Sequence, residues 1–248
     1  MGWGVKMQLS LRNLLQQTIN IIFPAKCVNC NALVSEAAAL CSDCWKAIEF
    51  ITDPKCELCG FPFDFDAGRG VLCAACNQDP PAFNKAISIF KYSDESKSLI
   101  LKLKYNDQLH LAQFFARLIA NKLQDLYEYR LVLPVPLHAK RIRQRLYNQS
   151  ALIASQVARL AKLDFLPNVL MKTRYDIPQN HLSGQQRRTN VLRSFAVKDE
   201  DRKAIEGKNL ILIDDVYTTG STVNECSKAL KKAGCAKILV ITVARVAA

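Results

Sequence analysis

With 248 residues, half of them apolar, the chain has enough hydrophobic matter for one large domain or two modest ones, which excludes a globally disordered protein. Its formal net charge of +12 points to partners that carry phosphate: nucleic acid, an anionic membrane surface or a phosphorylated small molecule. Read blandly, the same excess only keeps the protein in solution.

Residues 9–23, LSLRNLLQQTINIIF, are apolar at roughly helical intervals, broken by Arg12, Asn13, Gln16, Gln17 and Asn20. They contain no continuous apolar signal region with a small-residue cleavage site, and no segment approaches the ~20 apolar residues of a membrane span. The expectation is an amphipathic helix within residues 1–24 of a soluble, cytoplasmic protein. Docking of that helix on a membrane or partner is the alternative.

Eight of the ten cysteines lie between residues 27 and 76, as CVNC (27–30), CSDC (41–44), CELC (56–59) and CAAC (73–76). Ten, eleven and thirteen residues separate successive pairs. A Cys-x-x-Cys turn aims two thiolates at one tetrahedral corner, and a second pair at such a distance completes four sulfur ligands. Neighbouring pairs then make one zinc site of Cys27, Cys30, Cys41 and Cys44, and another of Cys56, Cys59, Cys73 and Cys76. Four thiolates leave no open position for a substrate, so the zinc is expected to be structural, replacing a core that so short a segment can hardly provide. Disulfides would need an oxidising compartment, a redox pair would not need four copies, and iron–sulfur spacings bring three cysteines closer together. A double zinc ribbon is therefore placed at 25–80, with Pro24, Pro54, Pro62, Pro80 and Pro81 interrupting regular structure. Cys226 and Cys235 stand apart and read as buried small apolar residues.

From residue 85 to 248 the pattern changes to alternating strands and helices. KAISIFKY (85–92) alternates as a half-buried strand, and LHLAQFFARLIANKLQDL (109–126) lines up Leu111, Phe115, Leu118, Ile119 and Leu126 on one helical face. Strands follow at 130–137, 209–213 and 236–244, and helices at 149–163 and 221–234, the last closed by Gly234. This order predicts an α/β domain with a mostly parallel sheet and helices on its faces.

The strand NLILI (209–213) runs straight into Asp214 and Asp215, and TTGST (218–222) leads into a helix. A parallel sheet delivers ligands at the carboxyl ends of its strands. The free amides of a helix N-terminus favour an anion, Gly220 lets the backbone approach closely, and Thr218, Thr219, Ser221 and Thr222 add hydroxyls. The carboxylates ask for hydroxyl hydrogens or a cation. A sugar phosphate satisfies both halves of the motif. No lysine follows the glycine, so this is not a Walker A loop. The bland alternative is a capped helix whose aspartates meet solvent or a lysine.

This stretch resembles the ribose-5-phosphate loop of type I phosphoribosyltransferases. The resemblance implies that Asp214 and Asp215 hold the ribose hydroxyls of phosphoribosyl pyrophosphate (PRPP), that Thr218, Thr219, Gly220, Ser221 and Thr222 cradle its 5′-phosphate, and that magnesium bridges the pyrophosphate. Two basic stretches accompany it. LPVPLHAKRIRQRLYNQS (133–150) carries Lys140, Arg141, Arg143 and Arg145, and QNHLSGQQRRTNVLRSF (179–195) carries Arg187, Arg188 and Arg193. With the cysteine pairs, these stretches resemble the ComF family, which joins a double zinc ribbon to a phosphoribosyltransferase-like domain. The matching positions include Gln179, Leu182, Ser183, Asn190 and Phe195; Leu146 and Tyr147 depart from the family's Gly-Phe.

That resemblance implies handling of single-stranded DNA during natural transformation, on the cytoplasmic side of the inner membrane and alongside other competence proteins. Arg141, Arg145, Tyr147, Arg187 and Arg188 are the candidates for contacting pyrophosphate or DNA, and Trp45, Tyr92 and Tyr105 for further base stacking. Two alternatives share the same ligand residues. One is an active phosphoribosyltransferase with Asp214 and Asp215 as its catalytic pair and an unknown nitrogen acceptor. The other is a PRPP sensor without chemistry.

Overall fold

The computed structural model describes residues 24–66, 68–105, 109–138, 141–143, 147–173 and 194–247; the N-terminal amphipathic segment lies outside them. The chain divides into two compact units, 1–47 and 48–248.

Each unit holds one cysteine ribbon, and the two ribbons repeat one another bond for bond. The Cys27 amide donates to Ala32 O at 2.7 Å, and the Cys56 amide to Phe61 O at 2.8 Å. Asn31 N–H donates to Cys27 O, and Gly60 N–H to Cys56 O. Asn31 (φ 64°) and Gly60 (φ 70°) both take the left-handed conformation that closes such a turn. The second pair of each ribbon opens a short helix: α1 (Ser42–Lys46) after Cys41 and α2 (Ala74–Gln78) after Cys73.

After the second ribbon come β1 (Lys85–Lys91), α3 (Asp94–Tyr105), α4 (Leu109–Lys122), β2 (Leu131–Pro134), α5 (Gln149–Ala161), β3 (Asp164–Phe165), β4 (Leu170–Lys172) and β5 (Phe195–Val197). A 3-10 turn (Asp199–Asp201) leads to α6 (Arg202–Ile205), β6 (Asn209–Tyr217), α7 (Ser221–Lys232) and β7 (Lys237–Arg245). The main sheet has the order β1-β7-β6-β2-β3, with every pairing parallel, as the alternating pattern predicts. β4 and β5 form a separate antiparallel pair.

Both faces of the sheet are covered. On one side Leu131, Leu133, Leu210, Leu212, Ile238 and Val240 share a buried cluster with Val223 and Leu230 of α7 and with Cys56, Cys59 and Cys76. The intervening residues Val132, Ile211, Ile213 and Ile241, equally buried, point the other way, where α4 and α5 pack. The second ribbon thus shares a core with the α/β layers.

α3 was not evident from apolar periodicity. Its start is marked by Ser93, whose hydroxyl accepts from the Ser96 amide while Ser96 Oγ accepts from the Ser93 amide, and by Asp94 and Glu95 in the first turn. The predicted 221–234 helix ends earlier, at Lys232, with Gly234 at φ 94° and its N–H on Lys231 O.

Candidate functional site

The four sulfurs of Cys27, Cys30, Cys41 and Cys44 lie within 4.8 Å of one another, as do those of Cys56, Cys59, Cys73 and Cys76. The closest cross-pair approaches are 3.5 Å (Cys30–Cys41) and 3.6 Å (Cys59–Cys73). A tetrahedral zinc with Zn–S of ~2.3 Å needs sulfurs ~3.8 Å apart, so both clusters fit. Burial opposes ionisation of the first cysteine of each ribbon, yet surrounding backbone amides outweigh it, bringing Cys27 down to about 6 and Cys56 to about 7. Burial pushes Cys44 up to about 12, Cys59 up to about 11 and Cys76 further still, so one cysteine of each ribbon is poised as a thiolate and metal binding must displace protons from these others. Cys226 and Cys235 are buried, as expected, and belong to neither cluster.

The second concentration of polar groups is at the carboxyl ends of β6 and β2. β2 connects outward to β3, whereas β6 connects the other way to β7, so the switch point at which such sheets form a crevice lies between β6 and β2. β6 carries Asp214 and Asp215. The strand was predicted to stop at Ile213, but it continues to Tyr217 because β7 runs beside it, pairing Asp214 with Thr242 and Val216 with Ala244. Across the crevice, Asn148 caps α5 by accepting from the Ser150 and Ala151 amides, and its Nδ2 donates to Val135 O beyond β2.

Ser150 Oγ, held by that cap, donates to Asp214 Oδ1 at 3.0 Å. Lys104 Nζ, from the last turn of α3, lies 3.0 Å from Asp215 Oδ2. Burial, and then the neighbouring Asp215 carboxylate, push Asp214 up to about 7, although the Asp215 amide, Ser150 and Lys104 pull the other way. Asp214 retains partial solvent access, so a ligand can reach it.

A stability consequence follows. The folded chain holds on Asp214 a proton that the unfolded chain gives up near pH ~4, so stability falls as pH rises from about 4 to about 7. Lys104→Met removes the counter-charge from the pair. It is expected to cost about 1–2 kcal/mol at pH 8 and distinctly less at pH 5, read from urea midpoints. An equal loss at both pH values would mean that Lys104 acts through Asp215 or packing and not on Asp214.

β6 ends on Tyr217, and the turn through Thr218 and Thr219 reaches Gly220, which opens α7 at φ 76°. Thr219 Oγ1 and Ser221 Oγ are 2.8 Å apart, and Ser221 N–H reaches Thr219 Oγ1 at 3.4 Å. Gly220 supplies no side-chain cap, so beyond the Ser221 amide that Thr219 Oγ1 meets, the first turn of α7 keeps donors available to an anion. A Cβ on Gly220 would collide with Tyr217 Oη. Gly220→Ala is therefore expected to lower stability by about 2–4 kcal/mol, read from the urea midpoint, through both strain and displacement of that ring.

The crevice thus offers carboxylates for hydroxyl hydrogens or a cation, and a helix N-terminus for an anion. Arg141 stands half-buried beyond β2, its N–H on His138 O. Tyr147 donates its hydroxyl to Leu103 O at 2.9 Å, tying the α5 approach to the end of α3. Arg145, Arg187 and Arg188 lie outside the described residues, as do Lys140 and Arg193. Trp45 is substantially exposed and Tyr92 half-buried. Lys104 was not singled out in the sequence, and Asn148 and Ser150 entered only within the RLYNQS stretch, with no role given to them. Asn148 followed by a helical pattern is a cap signal that marks Ser150; nothing local marks Lys104.

Comparison with known proteins gives two domain matches. The double zinc ribbon domain matches residues 18–77, and the phosphoribosyl transferase domain matches residues 147–248. Competence protein F of Haemophilus influenzae is 31% identical over 230 residues, covering 90% of this chain and 98% of that protein. DNA utilization protein YhgH of Escherichia coli (strain K12) is 28% identical, covering 81% of this chain and 88% of that one. Competence protein ComFC of Bacillus subtilis is 26% identical, covering 79% of each. The cysteine clusters are the four-thiolate zinc sites of a double zinc ribbon, the parallel sheet is a phosphoribosyltransferase fold, and the chain belongs to the ComF family of competence protein F.

Proposed function

We propose that the crevice binds PRPP with magnesium and that the protein handles single-stranded DNA during its uptake. One observation carries the first half: two adjacent carboxylates at a switch-point strand end, one held by Ser150 and one by Lys104, followed by a helix that opens on a glycine with no side-chain cap of its own. Ribose hydroxyls would donate to Asp214 and Asp215, and the 5′-phosphate would accept from the turn of Thr218, Thr219, Gly220, Ser221 and Thr222. The carboxylate pair and the pyrophosphate together suit magnesium, a hard cation that takes oxygen ligands and would screen the charge between them. Lys104 would either release Asp215 to the ribose or stay beside it as a second cation.

The names of the relatives, with the net charge of +12, support the DNA half. Two titrations test the reading. Calorimetry should register PRPP binding that depends on magnesium. Retention of a single-stranded oligonucleotide should fall steeply with salt, by about 0.7 log units per log unit of salt for each phosphate neutralised. Absence of PRPP heat rejects the first half, and absence of retention at low salt rejects the second.

A further inference from the structure

A buried cation stands between the second cysteine cluster and the turn that opens α7. Arg245, the last residue of β7, is 6% exposed. Its Nη1 donates to Cys59 O at 2.8 Å, and its Nη2 reaches Cys59 Sγ at 3.5 Å. Its Cζ lies 4.0 Å from the centre of the Tyr217 ring and 5.3 Å from that of Phe61. Its Nε has no hydrogen-bond partner among the described residues. Among those residues no carboxylate pairs with it either. A guanidinium withdrawn from water needs negative charge nearby. Zinc held by four thiolates carries net negative charge, and Cys59 brings it to hydrogen-bonding distance.

Each neighbour in this line is fixed by the next. Gly60, directly after Cys59, has no room for a Cβ, which would stand 2.7 Å from Ala86 O, so the cysteine turn is pressed against β1. Phe83 meets the Tyr217 ring edge-on at 6.4 Å. The far side of that ring touches Gly220, where a Cβ would clash with the hydroxyl. Among the described residues, the side-chain bonds of the turn are those between Thr219 and Ser221, and Gly220 gives it no cap. The ring beneath it therefore sets its shape.

We propose that Arg245 is a positioning residue: zinc in the Cys56–Cys59–Cys73–Cys76 site fixes its guanidinium, the guanidinium fixes the Tyr217 ring, and the ring sets the 218–222 turn to receive a phosphate. Only the last link rests on the reading of that turn as a phosphate site. Reciprocity requires that phosphate bound at the turn retain zinc as strongly as zinc favours phosphate.

The test uses the full zinc-loaded chain as wild type, Arg245→Met, Arg245→Lys and Tyr217→Phe. Hydrogen exchange is read over residues 218–224, against β1 and α5 as internal references. Zinc release to a chromophoric chelator is followed with and without ribose 5-phosphate. Arg245→Met should raise exchange in 218–224 by about tenfold, with little change in the references, and should abolish the slowing of zinc release by ribose 5-phosphate. Arg245→Lys, which keeps a cation, should change both less, and Tyr217→Phe, which keeps the ring but loses the hydroxyl nearest Gly220, should give an intermediate change. Should Arg245→Met fail to fold, the wild-type chain at graded zinc loading supplies the same comparison of turn against references. Exchange in 218–224 that stays unchanged, or rises only in step with the references, overturns the relay. A turn that responds to Arg245 and zinc while ribose 5-phosphate neither binds nor slows release upholds the relay and removes the phosphate reading. Equal binding of ribose 5-phosphate in all variants, with unchanged exchange, does the reverse.

Discussion

Changing both Asp214 and Asp215 to asparagine is expected to weaken PRPP binding in magnesium by at least about a hundredfold. Hydrogen bonds to charged acceptors contribute about 1.5–3 kcal/mol each, and two of them convert to between about two and four powers of ten in affinity. Asparagine keeps the shape, so the loss isolates charge from packing. Asp214→Asn alone should stabilise the ligand-free chain at pH 8, because it removes a carboxylate that burial and a like neighbour push up to about 7 while leaving Lys104 its counter-ion, Asp215. Opposite signs for binding and stability mark a site whose repulsion is retained for a ligand. Calorimetry on the double variant and urea unfolding on Asp214→Asn check both signs, and unchanged affinity would remove the pair from the binding site.

The second large effect concerns the metal. Cys59→Ser is expected to lower the stability of the 48–248 unit by about 3–5 kcal/mol, with loss of zinc measured on the same sample. Serine is nearly isosteric, so a cavity is not the cause. Cys59 is buried, accounts for one of the four sulfurs, and supplies both the carbonyl and the sulfur that face Arg245. Its loss opens the metal site and strips negative charge from beside a buried guanidinium. A change below about 1 kcal/mol, within the range of an ordinary surface substitution, would show that the ribbon is fastened by its apolar contacts alone.

The zinc ligands and the Asp214–Thr222 motif were legible in the sequence because both are local. Cys-x-x-Cys and strand–DD–turn each place their chemistry within a few residues. The parallel sheet was legible from the alternation of β and α periods. The length of β6 was not: two adjacent aspartates read as the end of a strand, whereas the β7 backbone beside them, with Thr242 bonded to Ser88 at 2.7 Å, keeps the ladder going. The partners of the motif were also hidden. Ser150 is 64 residues from Asp214 and Cys59 is 186 from Arg245, separations that no pattern window spans. Lys104 looked like one more lysine in a basic chain until the end of α3 was brought to the crevice. The lysine that the bland reading allowed beside the aspartates is present, while the cap it assumed is reduced to Thr219 Oγ1 on the Ser221 amide, since Gly220 offers no side chain.

The sharing of one core by the second ribbon and the sheet bears on where the chain can be cut. A fragment started at Lys85 would bare the apolar face of the central strands and should precipitate. One started near Ile48 would carry its own cover and should be the shortest piece of this polypeptide able to stand alone.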